Sequence, residues 1–344
     1  MTMGRFDLRE LSRRVIVAPM AGGPSTPELA AAGTNAGGLG FLAAGYLTAD
    51  ALAERIAAAR ALTSGALGVN LFVPQPSVAT AEAIQRYTKD LAGEAQRYGV
   101  ELGAPRFSDD DWAAKLDVVR ALCPEVVSFT FGAPSPEERR SLTDLGIATV
   151  ATVTTLREAA LAVGAGVDVL AAQGPEAGGH RGTYDPAAAP ATQPLADLLA
   201  GLLEEFDVPI VAAGGLVTGE DVDAAIAAGA VAAQLGTAFL LADEAGSSPV
   251  HRAALRNPGF SETVVTKSFS GRYARGLRNR FIDEHEEQAP LGYTEVHYLT
   301  SPVRTASVRA GDPQATNVWA GSGFKKIGVG SVADIMSELA DSRR

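Results

Sequence analysis

The sequence predicts an α/β fold: a (β/α)8 TIM barrel with an insertion after its third strand and a C-terminal loop-helix elaboration. Three observations predict it. Eight short apolar runs recur along the first 245 residues. Each is followed by glycine or a small polar residue and then by an Ala-rich amphipathic stretch, the rhythm of parallel strands buried on both faces. The chain has 344 residues, enough for a barrel of roughly 250 residues with a further segment beyond it.

Taken in order, the strand candidates are Val15 to Pro19, Gly40 to Ala44, Leu67 to Leu71, Val126 to Phe129, Ala148 to Thr152, Val167 to Ala171, Ile210 to Ala213 and Ala230 to Leu235. Helical patterns run over Pro27–Asn35, Ala49–Leu62, Leu156–Val163, Pro194–Glu205 and Gly219–Ala228. Strict alternation counts out the closed barrel; a doubly wound open sheet is the alternative. The rhythm breaks twice. Residues 73–112 form an insertion whose core, Ala79 to Tyr98, reads as helical and ends in the acidic cluster Ser108-Asp109-Asp110-Asp111. The barrel is thus expected over 1–245, and over 246–344 an Arg-, Tyr- and Gly-rich elaboration closed by a helix from Ser331 to Ala340.

Composition narrows the function classes. A hydrophobic fraction of 47% excludes disorder. One cysteine, Cys123, excludes an intrachain disulfide framework and a multi-cysteine metal site; before a proline at a helix end, it is expected to be buried and inert. The balance of 29 basic against 40 acidic residues, −11 net, suits neither nucleic acid nor an anionic membrane. The start, MTMGRFDLRELSRR, alternates charges where a secretory signal needs an apolar stretch. Nineteen uncharged residues between Asp223 and Asp243 are mostly alanine with Gly229, Gln234, Gly236 and Thr237, and read as a helix end, a buried strand and a turn. A cytoplasmic protein is expected.

In such a barrel, chemistry sits just after each strand. The first strand is followed by Ala18-Pro19-Met20-Ala21-Gly22-Gly23, where paired glycines let a flat ligand lie on backbone or simply make a tight turn. Asn70 closes the third strand, to read a ligand edge or to cap its loop. The seventh and eighth end in Ala213-Gly214-Gly215-Leu216 and Gln234-Leu235-Gly236-Thr237, two loops placed to cradle a phosphate. Thr218 and Asp221 have capping-box spacing for the next helix. No GxGxxG follows the first strand, and no P-loop occurs.

The sixth strand runs into Gln173-Gly174-Pro175-Glu176-Ala177-Gly178-Gly179-His180-Arg181-Gly182. A histidine in a Gly-rich loop at a strand end suits acid–base work or anion binding. The other histidines read as blander: His251 in a helical stretch, His285 in an acidic surface run, His297 in a tyrosine-flanked segment. Without cysteines nearby or HExxH spacing, no metal site is expected. In the tail, Ser270-Gly271-Arg272-Tyr273-Ala274-Arg275-Gly276-Leu277 either closes the site over a ligand or bonds the barrel rim.

Together, APMAGG, AQGPEAGGHRG, AAGGL and QLGT, with SGRYARGL and WAGSG in the tail, resemble the FMN-dependent nitronate monooxygenases, class I members in particular. The resemblance runs from about Val15 to Gly323, and EAGGH is its most specific part. Ser322 departs from it, standing where glutamine is expected. The resemblance implies FMN on the backbone of Ala18, Met20, Ala21 and Gly22, with Asn70 and Gln173 at its polar edges. It places the phosphate between Gly214-Gly215 and Gly236-Thr237 with Gly178 nearby, and counts Gly179, Gln234 and Leu235 among the residues that bind the cofactor. It implies catalysis at His180, and oxidation of an alkyl nitronate such as propionate 3-nitronate by O2 to a carbonyl compound and nitrite or nitrate, through a flavin semiquinone. It leaves a homodimer open. The rival readings are an FMN-dependent enoyl-acyl-carrier-protein reductase using NAD(P)H, and a non-catalytic flavin-binding protein.

Overall fold

The computed structural model describes residues 6–340. Eight parallel strands close into a barrel: β1 (Val15–Val17), β2 (Leu39–Ala43), β3 (Leu67–Phe72), β4 (Val126–Thr130), β5 (Ala148–Val153), β6 (Val169–Gln173), then, past the two-residue β7 (Gly179–His180), β8 (Ile210–Ala213) and β9 (Ala232–Leu235). β9 pairs back onto β1, with Ile16 against Gln234. The predicted eight-strand alternation is thus the observed one.

The reason is burial on both faces. Ile16, Phe41, Val126, Val150, Val211 and Ala232 fill the barrel interior, while Val17, Leu42, Val127, Val153 and Ala212 face the helical layer. Leu8, from the short 3-10 turn Leu8–Glu10, packs into the interior cluster. The first five residues of the charged N-terminal stretch lie outside the described residues. Strand ends differ from expectation where side chains or proline take over the pairing. β6 starts at Val169 rather than Val167, because the Asp168 carboxylate accepts from the amide (2.9 Å) and hydroxyl (2.7 Å) of Thr149. β1 stops before Pro19, which has no amide hydrogen to give.

Helices Pro27–Asn35, Ala49–Leu62 and Gly219–Ala227 each begin at a threonine cap; Thr218 and Asp221 form the expected reciprocal box. The uncharged stretch divides into the end of helix Gly219–Ala227, β9 and the turn Thr237–Phe239. Among the described residues, no helix is long and apolar enough to cross a membrane. The insertion holds two helices, Ala81–Asp90 and Ala92–Tyr98, broken at Leu91, which is buried. They pack against helix Glu295–Arg309 through Ile84, Tyr87, Leu91, Val296, Leu299 and Val303.

Beyond the barrel strands the chain contains more than loops and helices. β10 (Thr263–Thr266) and β11 (Ala274–Leu277) form an antiparallel sheet whose third strand is β7. This pairing is long-range and involves strands of four residues or fewer, so alternation along the sequence did not reveal it. The last helix, Val332–Ala340, joins the outer layer beside Pro27–Asn35 and Gly219–Ala227. Cys123 corrects an expectation: it is exposed, in the left-handed conformation that ends helix Trp112–Leu122.

Candidate active site

A cavity of about 630 Å³ opens at the C-terminal ends of the barrel strands. Its volume is in the range of small-molecule sites. One wall is nearly all backbone. Ala18, Met20, Ala21 and Gly22 line it after β1; this loop is closed on itself by Ser25, whose hydroxyl accepts from the Met20 amide (2.8 Å). Gly214 and Gly215 line it after β8, both with positive φ, +100° and +79°. A β-carbon on Gly215 would come within 2.9 Å of Glu176 Cβ, and one on Gly178 within 2.5 Å of the Gly321 amide. Gln234, Gly236 and Thr237 complete this wall after β9, and the Thr237 hydroxyl accepts from Gly321 N (2.9 Å). At Gly236 a β-carbon would make only ordinary contacts, with Ala18 Cβ at 3.5 Å and Met20 Sδ at 3.6 Å.

Asn70, Gln173, Gly178, Gly179 and His180 also line the cavity. Asn70 is buried and spends its amide hydrogens on Ser128 and Thr130, leaving its carbonyl oxygen as the free polar edge. Gln173 is largely used inside its own loop: it donates to the His180 carbonyl (3.1 Å) and accepts from Gly182 N (2.9 Å). Leu235 is the exception among the residues singled out in the sequence. Its side chain is 1% exposed and turned into the core between barrel and helices, because successive strand residues point to opposite faces.

The His180 loop is held by the tail. β11 pairs Ala274 with His180 and Arg275 with Gly179, and Arg181 N donates to the Tyr273 carbonyl (2.8 Å). Arg275 donates to the Pro175 carbonyl (3.0 Å). Arg272 is buried over the Phe131 ring (3.7 Å) and bonds Gln75 and Thr183. The tail motif therefore bonds the rim, and Ser270 also reaches the cavity. Ser322 is exposed; its amide holds the Glu176 carbonyl (3.1 Å), and its side chain does not line the cavity.

The opposite wall was not legible beforehand. Tyr46 follows β2 and Phe131 follows β4, both non-glycine residues with positive φ, +69° and +78°. Such backbones cost of order 1–3 kcal/mol and persist only where their surroundings hold them. Tyr46 stacks on His297 (4.2 Å between ring centres), and its amide donates to Asp110 (2.9 Å), which also pairs with the buried Lys115 (2.7 Å). Burial pushes the Asp110 carboxyl up and the Lys115 ammonium down. For both, the partner's charge opposes the shift. Phe131, Tyr293 and Trp319 surround His180 at 5.7–5.9 Å.

His297 and Arg304 enter the wall from helix Glu295–Arg309, and His251 from helix Pro249–Arg256. The seven-residue spacing of His297 and Arg304 puts them on one helix face, a signal present in the sequence. The bland readings of His251 and His297 are corrected, since both face the cavity. That of His285 is corrected too: it is buried against Phe281 and Tyr87, near Glu94 and Glu284. Arg280 bonds both of those carboxylates, so this group of donors already has its cation.

Electrostatically the site is cationic at its edges and neutral at its histidines. Burial, helped by the charges of Arg272 and Arg304, pulls His180 down to about 3. Burial pulls His297 to about 2, with Arg304 adding, and His251 to about 4 against its bond to the Trp319 carbonyl. The Ser270 hydroxyl donates to the Arg272 carbonyl (3.2 Å). The same hydroxyl lies 2.9 Å from His180 Nε2 and so holds one edge of the imidazole.

The comparisons agree with this geometry. The sequence model of the nitronate monooxygenase family matches residues 7–342. A probable nitronate monooxygenase of Staphylococcus aureus (strain MSSA476) is 36% identical, over 89% of this chain and 87% of its own. The nitroalkane oxidase from Streptomyces ansochromogenes superposes with a TM-score of 0.93 at 45% identity, covering 97% of this chain and 96% of that one. FabK from Thermotoga maritima gives 0.74 at 26% identity, over 96% and 93%. A family match over nearly the whole chain, on a barrel whose His180 loop and glycine wall meet at one cavity, makes this oxidoreductase a member of the nitronate monooxygenase family.

Proposed function

We propose that this protein oxidises small alkyl nitronates with molecular oxygen, using FMN, to a carbonyl compound and nitrite or nitrate in the cytoplasm. The observation that carries this reading is the junction of a glycine-rich wall with His180 in a cavity that, among the described residues, no carboxylate lines. The residues fit a flat ring with one terminal phosphate. Gly215 and Gly178 stand where a β-carbon has no room, Asn70 keeps a free carbonyl oxygen, and the buried Ser247 hydroxyl on the cavity wall lacks a partner. Gly214, Gly215, Gly236 and Thr237 would hold the phosphate, and the Ala18–Gly22 backbone the ring. FMN, when bound, supplies the electron transfer and the reaction with oxygen.

The chain's own groups then bind and orient. A His180 of pKa about 3 is neutral near pH 7. It can accept a hydrogen bond or a proton at its unprotonated ring nitrogen but supplies no charge to an anion. A base so far below the working pH is a weak proton acceptor. This supports a substrate that arrives already deprotonated, the nitronate rather than the neutral nitroalkane. Phe131, Tyr293 and Trp319 flank the imidazole with their rings and leave it partly exposed to the cavity.

The test is made anaerobically on the purified protein. Propane-2-nitronate is expected to bleach the flavin absorbance quickly, with NADH slow or inert, and the chromophore released on denaturation is expected to be FMN. Rapid reduction by NADH with turnover of a crotonyl thioester would replace this reading by an enoyl reductase. Bound flavin with neither reaction would leave a binding protein.

A further inference from the structure

We propose that Arg304 is the residue that recognises the substrate's negative charge and so sets the preference for the ionised over the neutral form. The ligand class is a planar anion with two equivalent oxygens. The inference rests on the nitronate reading and assigns the charge recognition within it.

Among the described residues, the cavity wall contains two arginines, Arg304 and Arg309, and no aspartate or glutamate, in a chain with 40 acidic residues. Arg309 is exposed at the rim. Arg304 lies inside, and its hydrogens go to neutral acceptors only: Nε to Thr300 Oγ1 (3.0 Å), one Nη to Asn317 Oδ1 (3.0 Å), the other to the His297 carbonyl (2.7 Å) and towards His297 Nδ1 (3.3 Å). A guanidinium has five N–H donors, so one remains. The half-buried Arg280, Arg60 and Arg139 pair with Glu94, Glu125 and Asp168, while the more deeply buried Arg181 and Arg272 bond neutral acceptors outside the cavity wall. Among the described residues, no carboxylate pairs with Arg304. A desolvated cation without a counter-ion is costly, and an anion bound beside it removes that cost.

The other cations are excluded by geometry. Arg272 does not line the cavity; it is spent on Gln75 and Thr183 behind Phe131. Arg181 and Arg275 bond main-chain carbonyls of the His180 loop. Arg304 alone combines an inward position, a fixed guanidinium and an unused hydrogen.

Calorimetric titration of the purified holoprotein with isobutyrate, an unreactive anion that presents a planar pair of equivalent oxygens on the same branched three-carbon unit as propane-2-nitronate, tests this, with isobutyramide as the neutral control. Arg304→Gln is expected to weaken isobutyrate on the order of 100-fold, and Arg304→Lys by about 10-fold, with isobutyramide unchanged in both. In turnover, KM for nitronate is expected to rise while kcat at saturation changes little. Equal loss of isobutyrate and isobutyramide would make Arg304 a structural residue and overturn the proposal, as would isobutyrate binding unchanged in both variants. Charge-selective loss in Arg304→Gln from a protein that oxidises no nitronate would uphold Arg304 and retire the nitronate reading instead.

Discussion

The two walls of the cavity are built on opposite principles. The wall formed by the loops after β1, β8 and β9 is shaped by residues that lack side chains, with positive φ at Gly22, Gly214 and Gly215. The wall brought by the loop after β2 and the tail is made of large side chains: Tyr46, His297, Arg304 and Trp319. The first can offer backbone amides at close range and is indifferent to pH. The second offers a charge, ring faces and titratable nitrogens, all desolvated. A cofactor phosphate suits the former, and a small anion of varying identity suits the latter. The comparison teaches that one site can divide cofactor retention and substrate recognition between elements of different origin in the chain.

If the division holds, the largest effect belongs to the backbone wall. Gly215→Val places a branched side chain against Glu176 and on a positive φ, so flavin affinity is expected to fall by about 10³-fold, the loss of two charge-assisted hydrogen bonds. Gly236→Ala meets only ordinary contacts, so the fold is retained and any flavin lost is lost to the ligand's side of the cavity. Equilibrium dialysis of flavin on both variants measures this; unchanged affinity in both would place the phosphate elsewhere.

On the other wall, His180→Asn keeps a hydrogen-bonding group but removes the imidazole. Nitronate kcat/KM is expected to drop about 10²-fold with full flavin content, and any neutral nitroalkane turnover by more. Loss of flavin from this variant would erase the distinction between the walls.

The third contrast is in pH. His180, His251 and His297 have folded pKa values of about 3, 4 and 2, all below the ordinary 6.5. A depressed value means that the unfolded chain takes up protons first. The stability these neutral histidines provide is complete above about pH 6.5 and is lost as the pH falls towards 4. Each contributes a slope of about 1.4 kcal/mol per pH unit in that window. Urea unfolding at several pH values is expected to show His297→Gln and His251→Gln each flattening the profile by about that amount, whereas Gly236→Ala leaves the slope unchanged.

The smallest effect is expected at Ser270. Ser270→Ala removes the hydroxyl that contacts His180 Nε2 and costs about 1 kcal/mol, a few-fold in kcat/KM. The readout specific to positioning is a shifted pH–rate profile with unchanged flavin affinity.

How much of this could be read from the chain follows the same division. Gly178, Gly214, Gly215 and Gly236 were legible because a loop after a barrel strand that needs positive φ or close approach carries its reason in the residue type. Tyr46 and Phe131 sit just after strands as well, but nothing local marks a tyrosine or phenylalanine as strained. Asp110 read as part of an acidic cluster, yet it anchors the Tyr46 backbone through a bond spanning the insertion. Cys123 and His285 were misjudged in opposite directions, since the exposure of a single residue depends on what packs over it.

By itself the sequence determined the barrel, its strand order, the placement of His180 and the glycine loops, and the family. These depend on periodicity and on backbone permissiveness, which are properties of neighbouring residues. Only the tertiary structure decided that β11 clamps the His180 loop, that Leu235 points away while Gln234 points in, and that His251, His297 and Arg304 converge on one cavity. Those facts depend on which helix face and which strand edge are covered. A desolvated charge or a neutralised histidine is created by such covering, through contacts between segments far apart in the chain.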